Sequence, residues 1–199
     1  VLFRSIRCRD DDYLHPYPTL RLDGIRALHL DGHQSDAALH YAQLCRERGV
    51  LVSLDGGGLR SNTHELLNFV DVAVCGERLA EQLNLDDKGL LDLLKAKGVK
   101  VGGVTRGERG MLWYDESGTI RTQPPLKVPS DVIIDTNGAG DVFHGAYMYS
   151  YLARPALPWE SHFEFARAAS TYKIQKLGNE AGLPSMNDIT LVMQTFQPV

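Results

Sequence analysis

Short apolar runs alternate with segments of helical period through the first half of the chain, and that alternation leaves few folds open. Residues 26–31 are apolar and end in a polar turn, as a buried strand does; residues 35–48 follow with Ala38, Leu39, Ala42 and Cys45 in helical spacing. Gly49 stands where that helix needs a C-terminal cap. The pattern continues with a strand over 50–54, a short helix over 65–69, a strand over 70–74 and a helix over 77–83. A helix over 90–97 then leads through Gly98 into a strand over 99–105, which Gly102 and Gly103 weaken. Strands and helices in strict turn predict an α/β fold with a mainly parallel sheet and helices on both of its faces.

The period changes after residue 105. Two short strands over 111–114 and 119–122 flank Ser117 and Gly118, which predicts a hairpin and an antiparallel edge to the sheet. Pro124, Pro125 and Pro129 keep the next stretch extended. A strand over 132–134, helices over 141–152 and 159–176, and a last helix over 188–196 complete the reading. A chain of 199 residues, 43% hydrophobic, is long enough to bury one good-sized core, so a single domain over 1–199 is expected.

Charge and composition remove several classes of function. The net charge of −4 comes without any basic block, which argues against nucleic acid as a partner. No apolar run reaches the ~18 residues that span a bilayer, and the start has no signal-peptide pattern, so no membrane partner and a cytoplasmic location are expected. Cys8, Cys45 and Cys75 are odd in number and widely spaced, unlike a disulfide framework or a metal knuckle. The chain begins at Val1 and shows no period ahead of Leu20, so it is expected to start inside a fold.

Asp135-Thr136-Asn137-Gly138-Ala139-Gly140-Asp141 is the run that carries chemistry. Gly138, Ala139 and Gly140 open a helix with side chains too small to cover the backbone, so the first amides can converge on an external anion. Asp141 beside such a hole suits a general base, which would take a proton from an attacking alcohol while the amides hold the phosphoryl charge. The same residues also suit a plain helix start, in which the glycines allow close packing and Asp141 complements the dipole.

The run, continued by Val142-Phe143-His144-Gly145, resembles the DTxGAGD signature of the ribokinase or pfkB family of carbohydrate kinases. Thr105-Arg106-Gly107-Glu108-Arg109-Gly110 resembles that family's TxGxxG turn, and Gly178-Asn179-Glu180-Ala181-Gly182 its closing segment. The resemblance implies a ribokinase-like three-layer fold. It implies ATP and Mg²⁺, with Asp141 as base and Gly138, Ala139 and Gly140 as the anion hole. It also implies a nucleotide pocket at Thr105, Gly107, Gly110, Gly178, Ala181 and Gly182. A potassium-type site would involve Asp135 and the Asn137 carbonyl, with backbone near Ala181 and Gly182. The sugar-binding residues and lid of the family lie mainly in an N-terminal part of on the order of 100 residues, which this chain is expected to lack. The fragment is therefore expected to be poorly active, and a homodimer stays open. Leu28 to Gly32 and the catalytic helix look most like the ketohexokinase and sulfofructose kinase branch, which implies a ketose. A nucleoside kinase of the same fold, or a non-catalytic nucleotide-binding remnant, would keep the same motifs.

Two features depart from the family. Its Asn-x-x-Glu pattern lacks the asparagine here, leaving Glu77 and Glu81, and Arg167 stands where an asparagine approaches the adenine. Gly56-Gly57-Gly58 has no P-loop context and reads as a turn. Asp31, His33 and Asp55 follow parallel strands, at the edge where open sheets bind ligands, and are the substrate-side candidates. His33 also reads as a turn residue, and His144 as packing beneath the site.

Overall fold

Strands β1 (Ala27–Leu30), β2 (Leu51–Gly56), β3 (Val72–Gly76), β4 (Val101–Thr105), β5 (Met111–Tyr114) and β6 (Arg121–Gln123) follow one another in sheet order. The computed structural model describes residues 16–199. Cys8 and most of the stretch ahead of Leu20 lie outside the described residues. The described residues divide into two compact units, one of residues 16–104 with 116–118 and one of 105–115 with 119–199.

In the first unit β1 pairs parallel with β2, Leu30 opposite Leu54, and β2 pairs parallel with β3, Gly56 opposite Cys75. Val72 to Cys75 and Val101 to Val104 are buried at every position, as strands covered on both faces must be. Gly102 and Gly103 therefore sit inside β4 without breaking it. Helix α1 (Ser35–Glu47) buries Ala38, Tyr41, Ala42 and Cys45 along one stripe. It stops in a Schellman motif: the Gly49 amide donates to Arg46 O at 3.2 Å and the Val50 amide to Cys45 O at 2.9 Å. The short helix expected over 65–69 is α2 (Thr63–Leu66) with a 3₁₀ turn, Leu67–Phe69. Helix α3 is Glu77–Gln82. Helix α4 (Asp87–Ala96) begins three residues before its apolar face because Asp86 Oδ1 accepts the Gly89 amide at 2.7 Å and caps it.

In the second unit β5 and β6 are antiparallel, Trp113 opposite Arg121, and give the predicted antiparallel edge. Helices α5 (Ala139–Ala153), α6 (Trp159–Lys173) and α7 (Met186–Thr195) pack in sequence. Aromatic rings lock the first two together. Phe163 stacks on Phe143 at 6.1 Å and meets Trp113, Tyr147 and Trp159 at 5.3 to 5.6 Å. Phe165, Ala168, Ala169, Ile189 and Val192 seat α7 on α6.

The strand expected over 132–134 does not form. Pro129 leads instead into a 3₁₀ turn, Ser130–Val132. The amides of Ile134 and Asp135 both turn to one carbonyl, Ile174 O, at 2.8 and 3.1 Å, so they have no strand ladder to join. Ile134 is 61% exposed. Helix α6 ends three residues earlier than its pattern suggested, because the chain turns back on Lys173.

Candidate active site at the start of helix α5

The first turn of α5 leaves its amides outward. Ala139 N donates back to Thr136 O at 3.2 Å, and Val142 N is the first to reach a helical carbonyl, Gly138 O at 3.0 Å. The Gly140 and Asp141 amides thus form an anion-facing end of the kind a helix N-terminus supplies. Asp141 stands in the same turn with an exposed side chain. Gly138 precedes the helix at φ +77, a left-handed conformation that favours glycine. A side chain there would also collide with Asn179, whose Cγ would lie at 3.0 Å from the added carbon.

Behind this turn lies a cavity of about 540 Å³. Asp141 and Asn179 stand on its polar side, and Val142, Tyr149, Phe165 and Met186 on its apolar side. Gly145 and Ala146 also line it, and their small side chains keep its α5 wall low. An apolar chamber opening on free amides and one carboxylate can hold a flat or apolar group next to an anion.

His144 does not point a free Nδ1 at the site. That nitrogen lies 2.8 Å from Gly140 O, an acceptor only, so Nδ1 carries the proton. The ring is buried against Phe143 and Tyr147 and serves packing.

Asp135 is held from several directions. Its Oδ1 accepts the Asn137 amide at 3.0 Å, and its Oδ2 accepts the Gly178 amide at 3.0 Å and Lys173 Nζ at 3.3 Å. The amide bonds from Asn137 and Gly178, with the lysine charge behind them, hold its carboxyl below the usual range. Lys173 Nζ also donates to Asp135 O at 3.1 Å and Lys176 O at 3.3 Å, and the lysine is fully buried. Gly182 packs on the lysine stem, where a side chain would overlap Cδ and come within 2.9 Å of Cε. Ala181 and Gly178 are exposed on the same loop. Gly178 and Gly182, expected at the nucleotide, are thereby tied to the start of the glycine motif.

Thr105 ends β4, and residues 106–110 form the turn expected of TxGxxG. Arg106 N donates to Gly110 O at 2.8 Å, and Gly110 sits at φ +78 with Pro125 N 3.0 Å from where its side chain would be. Arg167 donates to Pro124 O at 2.6 Å. Burial draws its guanidinium below its usual value, with Glu164 opposing. The arginine thus pins the proline connection beside Gly110. None of Thr105, Gly107 or Gly110 lines the cavity beside α5.

In the first unit Asp31 and His33 form a pair. Asp31 Oδ2 lies 2.7 Å from His33 Nδ1, and Oδ1 accepts the His33 amide at 2.9 Å. Burial pushes the Asp31 carboxyl up, but those bonds outweigh it and hold it low. Arg60 Nη2 approaches the same ring at 3.5 Å. Asp55 is the penultimate residue of β2, near Cys75, whose thiol is pushed up to about 12 by burial and by the Asp55 charge. Gly58 lies beside Gln82, which accepts the Leu59 amide at 2.6 Å, so the glycine run is a turn fixed by α3. Glu77 is half-buried and Glu81 exposed on that helix. Among the described residues no group of three His, Cys, Asp or Glu is placed to hold a metal, and no helix is long and apolar enough to cross a membrane.

Lys173, Asn179 and the cavity walls escaped the sequence reading. Lys173 lies on the apolar stripe of α6 with Ala166 and Ala169, and a lysine on a core stripe was the available signal. Asn179 stood inside a recognised motif with no role.

A model of the pfkB family carbohydrate kinases matches residues 6–186. Ribokinase of Lactococcus lactis subsp. lactis is 27% identical over 165 residues, which are 83% of this chain and 52% of that protein. Cytidine kinase of Thermococcus kodakarensis is 33% identical over 94 residues, 46% of this chain and 33% of that protein. Arabidopsis thaliana ribokinase, solved in complex with ribose and ATP, superposes with a TM-score of 0.70 at 24% identity, covering 84% of this chain and 55% of that one. The fold is thus ribokinase-like, and the chain spans about half the length of the curated ribokinase it matches.

Proposed function

The chain belongs to the pfkB family of carbohydrate kinases, and on that premise we propose that it carries the nucleotide-binding and catalytic part of an ATP-dependent sugar kinase. The single observation that carries this reading is the first turn of α5, where the outward Gly140 and Asp141 amides share one mouth with the Asp141 carboxylate.

In the proposed step the acceptor hydroxyl oxygen attacks the γ-phosphorus of ATP, the bond to the β-phosphate oxygen breaks, and ADP leaves. The hydroxyl proton passes to Asp141. The first-turn amides hold the charge on the phosphoryl oxygens in transit. Mg²⁺ would arrive on the ATP phosphates and neutralise part of their charge. The first turn of α5 fits the phosphates of ATP, since outward amides and a helix dipole favour an anion there. Thr105, Gly107 and Gly110 would border the nucleotide. Asp31, His33 and Asp55 are proposed for the acceptor side, since the first two follow β1 and the third is the penultimate residue of β2, at the carboxyl ends of these strands.

The acceptor is read as a sugar hydroxyl. A ketose rests on the short phrase Leu28 to Gly32 and on the start of the α5 helix alone. A nucleoside acceptor is the second reading, favoured by the cytidine kinase similarity over 94 residues. Turnover of ATP by the protein from its complete open reading frame, over a panel of ketoses, aldoses and nucleosides, decides among them. Turnover with none of these acceptors, with nucleotide still bound, would point instead to a binding remnant.

A further inference from the structure

We infer that the ammonium group of Lys173 stands in place of the monovalent cation that the glycine motif and its closing loop would otherwise hold, so that this site works without potassium. A lysine ammonium has three N–H donors and no acceptor. Here it meets three oxygens: Asp135 O at 3.1 Å, Asp135 Oδ2 at 3.3 Å and Lys176 O at 3.3 Å. Donors and acceptors match in number. These oxygens belong to the two segments that a cation would bridge, the start of the glycine motif and the loop after α6. A second positive charge among them would face the ammonium at contact distance, where repulsion in a partly desolvated site is strong. The residues therefore do not fit potassium.

The surroundings are shaped to the lysine. It is fully buried, which a charged side chain tolerates only when paired. Gly182 has no side chain where one would overlap the lysine's Cδ, and its would-be Cβ lies 3.0 Å from Gly178 O. The Gly178 amide donates to the same Asp135 Oδ2. A tethered ammonium needs no free ion to fill the position, so the loop is held at any potassium concentration. Through this clamp the loop carries Asn179 to Gly138, at the mouth of the anion site. Lys173 is thus a positioning residue. Its bearing on turnover rests on the phosphoryl-transfer reading, whereas its effect on cation binding does not.

The test is thermal melting of the 199-residue chain in potassium, ammonium, sodium and tetramethylammonium chloride at one ionic strength. The unaltered chain is expected to melt at the same temperature in potassium, sodium and tetramethylammonium. Lys173→Ala is expected to melt roughly 5–10 °C lower and to recover part of that loss, saturably, with potassium or ammonium but not with tetramethylammonium. Lys173→Met, which keeps the stem in the same space, is expected to fall without recovery. A saturable potassium-specific rise in the unaltered chain overturns the inference, and so does a folded Lys173→Ala that ignores potassium and ammonium. If Lys173→Ala does not fold, the unaltered chain decides alone. With the complete protein, the KM for ATP is expected to be independent of potassium and to become potassium-dependent in Lys173→Ala; failure of turnover with any acceptor would count against the kinase reading and leave the melting result standing.

Discussion

Asn179 lies so close to Gly138 that a methyl group on the glycine would overlap its side-chain oxygen and come within 3.0 Å of its Cγ. The loop after α6 and the start of α5 therefore fit only while residue 138 is bare.

Gly138→Ala should destabilise the chain by about 1–2 kcal/mol from the left-handed backbone alone, and more once Asn179 is displaced. Urea denaturation measures the first effect. Weakened ATP binding in the same variant reports the second. A variant as stable as the parent, with unchanged affinity, would remove Gly138 from this account.

Asp141→Asn keeps the shape of the first turn and removes its base. The expected loss in kcat is about 10²- to 10⁴-fold with nucleotide binding retained. Single-turnover phosphoryl transfer with the complete protein checks this, and normal turnover by the variant would refute the assignment of the base.

Stability should fall in mild acid through His162. Its ring is fully buried and lies 2.9 Å from Ser150 Oγ. Burial lowers its pKa from 6.5, and Arg154 adds to this while a backbone bond opposes it. The unfolded chain takes up the proton first, so stability is complete above 6.5 and declines as pH falls from there toward the folded value. Melting temperatures taken between about pH 8 and pH 5 should show the slope, and His162→Gln should flatten it. An unchanged slope in that variant would assign the effect elsewhere.

Helix α7 depends on its cap. Ser185 Oγ accepts the Asp188 amide at 3.2 Å and Asp188 Oδ2 accepts the Ser185 amide at 2.8 Å, which completes a capping box. Ser185→Ala should cost about 0.5–2 kcal/mol and lower the melting temperature by a few degrees. The Ile189 amide donates to Ser185 O at 3.1 Å in this first turn, so its protection from hydrogen exchange should fall as well. Full protection in the variant would show that packing, not the cap, holds the helix.

Much of the fold was legible because its signals are local. The parallel strands carry continuous apolar runs, the helices carry 3.6-residue stripes, and Gly49 and Gly98 end helices by bonds within their own turns. Element ends were less legible where a side chain far from the apolar face decides them. Asp86 starts α4 ahead of Leu90, and Lys173 stops α6 ahead of Lys176. The missing strand over 132–134 failed for the same reason, since Ile134 and Asp135 spend their amides on Ile174, a residue about 40 positions away.

The sequence by itself determined an α/β chain with an anion-facing glycine turn followed by Asp141, because small residues, dipole and carboxylate are adjacent in the chain. Only the tertiary structure decided what completes that turn. The contacts of Lys173 with Asp135 and of Asn179 with Gly138 span 38 and 41 positions, and no periodicity reports which lysine will be buried or which glycine it will need. That is a matter of packing, where one buried charge and one absent side chain are fixed together.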